Sequence, residues 1–464
     1  MSNSNLRQAL ENIDVPRILV VGDLMLDHYS WGEVARISPE APIPVMKVLR
    51  EDQRLGGAGN VVMNLVTLGA KVSVCGVIGK DETGDTIYKL LAENSIDRSG
   101  IIVSENHKSC LKHRMIAGQT HLLRMDIDPE PDTDFPQNQM IEFLHDTLPN
   151  CDAAIVSDYG KGMLSSIVLK ELSSCVKKHG IPVIVDPKRT SDYSIYKGFT
   201  IIKPNRKETE TAVGFSLNNR NDILRAAEKL KKDVHLDYLV ISLDQDGLLL
   251  YQNSDNYHFF EAHTEEVFDV VGAGDTVTSV LAFMIAGKAN IEEAAYWAQL
   301  AASMEIKHVG VVSFTKNELL QRFEFGESSM KISSLEQLCQ TLPKDLPVIF
   351  TNGFFDNISA GHLKFLDQLK TLKGFNVVGI NSDKSITKQK GKPPLLNERE
   401  RAMLLSAIEA VDRVVIFNEL DASSMISSIR PHVIVKGKSF LNKKMPEEKV
   451  IKEIGAKLEF FPEY

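Results

Sequence analysis

The feature that most constrains this chain is a rhythm that runs, stops and starts again. Short runs rich in β-branched residues, ILVVG (18–22), KVSVCGVIG (71–79), AAIVSD (153–158), PVIVD (182–186), TIIKPN (200–205) and DYLVISL (237–243), alternate with longer helical patterns. The helical stretches include Gly84 to Asn94, Ser165 to His179 and Asp222 to Lys232. Near-continuous apolar strands separated by helices predict a parallel sheet covered on both faces. Residues 42–54 and 101–128 instead alternate apolar and polar positions, as in IPVMKVL and HLLRMDID, which predicts a flap with one face open to solvent or ligand. The rhythm ends after residues 311–315, and 323–343 reads as a linker. A second β-α alternation then opens at PVIFTNG (347–353) and continues through NVVGINSD (376–383), RVVIFN (413–418) and HVIVKG (432–437). The chain is therefore expected to be two α/β domains, 1–322 and a smaller one at 344–464.

Composition narrows the function classes. A net charge of −9 over 464 residues argues against a general nucleic-acid surface. Five cysteines, an odd number with no C-x-x-C pair, argue against a disulfide framework or a structural zinc site, and no dedicated protein-only metal site is expected. The polar start MSNSNLRQALENIDVPR lacks the apolar core of a signal peptide, and the apolar stretch Val277 to Ala289 is too short to span a bilayer. A cytoplasmic protein that binds neither membrane nor nucleic acid is expected.

The strongest local signal is DVVGAGDTV (269–277). Gly272, Ala273 and Gly274 let the backbone approach a ligand closely, and amides at the following helix start would face an anion. Asp275 at the same turn could take a proton from an attacking hydroxyl while those amides hold a moving phosphoryl group. Three further features precede it in order: Asp27 beyond the first strand in VGDLMLD, the glycine run at 56–59 with Asn60, and Asn205 with Glu208 in KPNRKE. Singly, each also reads as a turn or a helix cap. Together, along one α/β alternation, they point to a site.

These residues resemble the ribokinase-like (PfkB) carbohydrate kinases over about residues 15–315. The resemblance implies Asp275 as catalytic base, with Gly272, Ala273 and Gly274 as anion hole. It implies Asp27, Gly57 and Asn60 as sugar ligands. The N-x-x-E segment, Asn205, Arg206, Lys207 and Glu208, would organise Mg²⁺ and the phosphates of ATP. RISPEAPIPV (36–45), LRMD (123–126) and SDYGKG (157–162) resemble more narrowly the bacterial family that joins a heptose 7-phosphate kinase to a heptose 1-phosphate adenylyltransferase. A heptose phosphate would also need cations for its distal phosphate, and Lys112, Arg114, Arg124 and Lys161 are available. Two positions depart from the family pattern: Val271 and Lys203 stand where threonine is usual.

The second half resembles the cytidylyltransferase-like family, a Rossmann-like nucleotidyltransferase fold. Its H-x-G-H signature would place two histidines against the nucleotide's α-phosphate, but the matching segment here is Ser359-Ala360-Gly361-His362. Serine donates a hydrogen bond but carries no positive charge, so transition-state stabilisation should fall. Asn381, Arg401, Lys436 and Gly437 match the family in order, and the lysine-rich 384–392 falls where a phosphate loop is expected. VKGKSF replaces the usual VKG-G-D-Y, and KLEFFPEY ends before a Ser/Thr-rich helix start.

The resemblance implies an ATP- and Mg²⁺-dependent kinase acting on O1 of D-glycero-β-D-manno-heptose 7-phosphate, with a C-terminal domain of weak or absent adenylyl transfer. Three alternatives remain open: full bifunctionality, a non-catalytic binding or assembly module, and a different phosphosugar. A homodimer paired through the flap is the expected assembly.

Overall fold

The first alternation closes into a single sheet, as buried apolar strands require. The computed structural model describes residues 2–118, 120–130, 136–262, 272–307, 311–326, 331–343, 345–443 and 445–462. Val271 and the preceding Asp269 lie outside the described residues, as does the final Glu463-Tyr464. The chain divides into two compact units, Met1–Leu320 and Gln321–Tyr464.

The strands of the first unit are β1 (Arg17–Gly22), β2 (Leu24–Ile37), β3 (Pro44–Gly57), β4 (Lys71–Gly79), β5 (Asp97–Ser104), β6 (Cys110–Ala117) and β7 (Thr120–Ile127). They continue as β8 (Ala153–Ser157), β9 (Val183–Asp186), β10 (Ile201–Ile202), β11 (Tyr238–Ser242), β12 (Leu248–Asn253) and β13 (Asn256–Phe260). The main sheet runs β13-β12-β11-β10-β9-β8-β1-β4-β5. Its pairs from β11 to β5 are parallel, and β12 and β13 add an antiparallel edge. β1 is flanked by β4 on one side and β8 on the other, so the strand order reverses there. Ligands of open α/β sheets bind at the carboxyl ends of strands beside such a reversal. Gly22 fits because a Cβ would collide with the Ser157 carbonyl on β8.

The flap is a separate four-stranded sheet, β3-β2-β6-β7. It differs from expectation in two ways. Residues 101–104 belong to β5 of the main sheet, and the flap includes β2, a strand the sequence patterning did not mark. The chain breaks at Asp23, whose N–H donates to the Ser157 carbonyl at 3.1 Å. Asp27 lies beyond the first strand as expected, within β2.

Helix Ala273–Ala286 lies in the middle of the first unit, buried at almost every position from Asp275 on. It touches β8 and β9 and the helix Ala58–Leu68. A helix apolar all round must be enclosed, which fixes Asp275 rigidly against the sheet.

The second unit is a parallel sheet of order β14-β17-β16-β15-β18-β19. Its strands are β14 (Ile332–Ser333), β15 (Val348–Gly353), β16 (Phe375–Asn381), β17 (Arg413–Phe417), β18 (Val433–Gly437) and β19 (Lys457–Phe461). The segment expected as a linker contributes to this unit. β14 pairs with β17, and Leu338 of helix Leu335–Thr341 is fully buried against Val348, Phe350 and Ile426. Its Leu and Ile spacing was too short a pattern to separate from a connector. The lysine-rich 384–392, expected as a loop, folds largely as helix Asp383–Lys390 capped by Ser382.

Candidate functional site

Gly272 caps the buried helix at φ 93°, a conformation that favours glycine, and a Cβ there would strike the Glu305 carboxylate. The first-turn N–H groups behind it have no intrahelical acceptor. Asp275, in that turn, is held from two sides. Asn60 Nδ2 donates to Asp275 Oδ2 at 2.7 Å, and the Tyr159 hydroxyl donates to Oδ1 at 2.6 Å. Burial and the nearby Asp186 carboxylate push Asp275 up to about 6, against the pull of those two donors and of Lys203. Such a carboxylate is ionised at neutral pH yet basic enough to accept a proton.

A cavity of about 350 Å³ opens in front of Asp275. Gly272 and Gly274 line it, whereas Ala273 between them does not. Asp158, Asp186, Lys188, Lys203 and Glu208 also line it. Lys203, only 2% exposed, pairs with Asp186 at 3.1 Å. Burial works against its charge, but Asp186, Glu208 and Asp275 outweigh it and raise the lysine on balance. A Cβ on Gly274 would lie 3.2 Å from Lys203 Nζ, so the ammonium sits beside the helix start. The lysine that departs from the family pattern is thus a buried cation beside the glycine turn.

Asn205 and Glu208 form a reciprocal cap on helix Arg206–Val213. Asn205 Oδ1 accepts from the Glu208 N–H at 2.9 Å, and Glu208 Oε2 accepts from the Asn205 N–H at 2.8 Å. Both side chains also line the cavity. Burial and Asp186 raise the Glu208 carboxyl. Arg206 and Lys207 do not line the cavity. Arg206 turns away to the Leu217 carbonyl at 2.8 Å and to Asp246, and Lys207 is exposed.

A second cavity, about 240 Å³, is lined by Asp27, Tyr29, Arg54, Asn60 and Met63 among others. Asn60 borders this space and bonds to Asp275, which borders the other. Asp27 pairs with Arg114. Lys112 Nζ lies 5.4 Å from the centre of the Tyr159 ring, and Lys161 pairs with Asp128 at 2.6 Å. Arg124 bonds to Asp126 on its own exposed strand at 2.9 Å and does not line the cavity. Gly57, expected to touch sugar, instead makes the turn into helix Ala58–Leu68 with φ 57°, where a Cβ would meet the Asp23 carbonyl at 2.6 Å.

Sequence reasoning missed Asp23, Asp158, Tyr159 and Asp186 as site residues. Asp23 Oδ2 accepts from the N–H groups of Tyr159 and Lys161 at 2.8 and 3.1 Å, which fixes the turn that aims Tyr159 at Asp275. Burial and Asp158 push Asp23 up to about 6. The available signal was position: acidic residues at the carboxyl ends of β1, β8 and β9 of a parallel sheet.

In the second unit a cavity of about 650 Å³ is lined by Asn352, Ser359, His362, Asn381, Lys436 and Gly437, with Phe355 and Lys443. Ser359 caps helix Ala360–Asp367. Its N–H donates to His362 Nδ1 at 3.2 Å, and its hydroxyl lies 2.9 Å from the same atom. With Nδ1 accepting, Nε2 carries the proton of the neutral ring. Lys436, 6% exposed, bonds to Asn352 Oδ1 at 2.7 Å and Glu447 Oε1 at 3.1 Å. Asn381 is tied to Ser385 Oγ at 3.0 Å. Arg401 does not line the cavity. It is fully buried, bonded to Asp383 and the Phe354 carbonyl at 2.7 Å each.

Two family models match this chain, pfkB family carbohydrate kinase over residues 15–317 and Cytidylyltransferase-like over residues 350–462. The bifunctional protein HldE of Campylobacter curvus (strain 525.92) is 40% identical over 445 residues, covering 94% of each chain. The chain belongs to the HldE family of bifunctional proteins. Across this family's breadth, HldE of Geobacter sulfurreducens is 36% identical over 99% of this chain and 95% of its own. Solved structures match the first unit's fold. A ribokinase from Arabidopsis thaliana, complexed with ribose and ATP, aligns with TM-score 0.56 at 18% identity over 68% of this chain and 100% of its own. Phosphofructokinase-2 from Escherichia coli, in complex with potassium, aligns with TM-score 0.56 at 20% identity, over 67% and 99%. This family member is thus a carbohydrate kinase of ribokinase-like fold followed by a cytidylyltransferase-like domain.

Proposed function

We propose that the first unit transfers the γ-phosphoryl group of ATP to O1 of D-glycero-β-D-manno-heptose 7-phosphate, giving the 1,7-bisphosphate, in ADP-heptose and lipopolysaccharide-core biosynthesis. The observation that carries this reading is the bond from Asn60 to Asp275, which joins the two cavities at a buried carboxylate. Asp275 would take the proton from O1–H as that oxygen attacks the γ-phosphorus, and ADP leaves. The amides at 273–275 and Lys203 would neutralise the moving phosphoryl group. Asp27 and Asn60 would read sugar hydroxyls, and Arg114, Lys112 and Lys161 would face the distal phosphate. The Asp186 and Glu208 carboxylates fit a hard cation, and bound Mg²⁺ would there offset phosphate charge. Closure of the flap would exclude water.

For the second unit the proposed activity is weak or absent adenylyl transfer, because Ser359 supplies no positive charge. Full bifunctionality is the second reading. It is favoured by the His362 geometry, which leaves Nε2 as a donor, and by relatives named bifunctional along nearly the whole chain. A cytoplasmic homodimer paired through the flap completes the proposal: Leu123, Met125 and Ile127 are exposed on its edge strand β7, and size-exclusion light scattering tests it. Among the described residues no helix is long and apolar enough to cross a membrane.

One reaction followed by phosphorus NMR tests both units. Protein, ATP, Mg²⁺ and heptose 7-phosphate should give a 1,7-bisphosphate signal, and its absence overturns the substrate assignment. Heptose 1-phosphate, added next, should give little ADP-heptose; efficient formation selects the second reading.

A further inference from the structure

Three side chains that no motif marks meet on the flap. β2 pairs in parallel with β6 so that His28 lies opposite His113, and antiparallel with β3 so that Ser30 lies opposite Glu51. Neighbouring residues of a strand face opposite sides. His28 and Ser30 thus occupy the side of β2 away from Asp27 and Tyr29, which line the sugar-side cavity.

The spacing of the ligand atoms in this cluster suits a metal ion. The two imidazoles stack with centroids 4.1 Å apart and planes within 3°, so their in-plane lone pairs run parallel and a shared ion would require one ring to turn about its Cβ–Cγ bond. Glu51 Oε1 lies 3.3 Å from His28 Nε2, and one ligand atom from each of His28, Glu51 and His113 falls within 4.8 Å of the others. Two donors on one tetrahedral ion, with bonds of about 2.0–2.1 Å, stand about 3.3 Å apart. Ser30 Oγ donates to Glu51 Oε1 at 3.0 Å, which orients the carboxylate, and with that proton committed can only accept from His113 Nε2, 2.8 Å away. His28 Nε2 is buried and makes no hydrogen bond, although Glu51 Oε1 lies 3.3 Å away. A buried nitrogen whose nearest acceptor is not aligned to bond is costly unless something else occupies it.

We propose that His28, His113 and Glu51 bind a divalent transition-metal ion of the zinc type on the reverse side of the flap. Two imidazole nitrogens and one carboxylate oxygen suit Zn²⁺, with water in the fourth position, whereas Mg²⁺ prefers oxygen throughout. The ion would tie β2, β3 and β6 together, the strands that carry Asp27, Arg54 and Arg114 on their other side. It is separate from the Mg²⁺ of the kinase reaction and does not depend on which sugar the kinase takes.

The test uses the full chain, stripped with a chelator and reloaded with Zn²⁺ or, as a visible probe, Co²⁺. One equivalent of Zn²⁺ by atomic emission and intense tetrahedral Co²⁺ bands are expected. His28→Gln and His113→Gln should each lose that equivalent and the bands. No uptake by the wild-type chain, or unchanged stoichiometry and bands in both variants, overturns the proposal. X-ray absorption on the Zn²⁺-loaded wild-type chain needs no variant to fold. A shell with two imidazoles and no sulfur supports the site, and a shell with sulfur or fewer than two imidazoles overturns it.

Discussion

The Tyr159 hydroxyl donates to Asp275 Oδ1 at 2.6 Å, tying the loop after β8 to the helix that starts at Gly272. The bond lowers a carboxyl that burial and Asp186 push up to about 6. Tyr159 is in turn aimed by Asp23, which holds its backbone N–H at 2.8 Å. The Asp275 carboxyl is therefore tuned by a residue outside the glycine motif.

Tyr159→Phe should raise the Asp275 pKa further. The proposed base would work only when ionised, so the acid limb of kcat/KM should move upward with it. A hydrogen bond to a charged group is worth about 1.5–3 kcal/mol, which corresponds to about one to two pH units. Activity should recover on the alkaline side of the shifted limb. A pH profile checks this, and a uniform loss at every pH would count against the tuning role.

Asp275→Asn should lower phosphorylation by about 10²–10⁴-fold while leaving the fold intact. It should also stabilise the protein at neutral pH. The Asp275 carboxyl rises from 3.8 to about 6 on folding, so the folded state keeps a proton that the unfolded chain has released between those values. That favourable contribution is complete below 3.8 and is lost as pH rises through about 6, above which the buried charge costs stability. Asparagine is neutral throughout. Thermal melts should show a gain of about 1–3 kcal/mol above the folded pKa that fades towards acid pH.

Lys203→Met should be destabilising, because it strands Asp186 without its buried cation; breaking such a pair costs about 3–5 kcal/mol. Adding Asp186→Asn should restore much of the stability, so the double variant should melt above the single Lys203→Met. Kinase activity should stay low in both, since neither returns a cation to the proposed anion hole at Gly272–Gly274. Differential scanning calorimetry of the four-member cycle reads the coupling.

What the sequence revealed and what it hid follow from how each feature is encoded. Strands buried on both faces must be apolar throughout, so β1, β4, β8, β9 and β11 stood out. The Gly272–Asp275 turn was legible because close backbone approach demands glycine. The cations were not. Arg206 and Arg401 read as nucleotide-site candidates, yet both bond to carbonyls and carboxylates of their own units, and a guanidinium in a motif looks the same either way. Asp186 and Lys203 sit on neighbouring strands and pair only through the sheet order. Likewise His28, Glu51 and His113 are far apart in sequence and meet only through the register of β2 with its two neighbours. β2 itself was hidden because its first residues continue the apolar run of β1, with Asp23 as the only break.

Ser359 decides the last prediction. It already performs the positioning that a helix-start residue can give, capping helix Ala360–Asp367 and engaging His362 Nδ1. What it lacks is charge. Ser359→His adds a second imidazole beside His362 at the rim of the same cavity, so pyrophosphate release from ATP and heptose 1-phosphate should rise. Removing one oxyanion-type donor typically costs 10²–10³-fold, so a gain of at least about tenfold is expected if the missing charge limits the reaction. The gain comes at the cost of the serine cap, about 1 kcal/mol, which melts should register. His362→Ala should abolish whatever transfer the wild type has, while phosphorylation of heptose 7-phosphate stays unchanged. If Ser359→His leaves the rate unaltered while His362→Ala removes it, the second site works with one histidine, and lost charge at 359 is not what sets its rate.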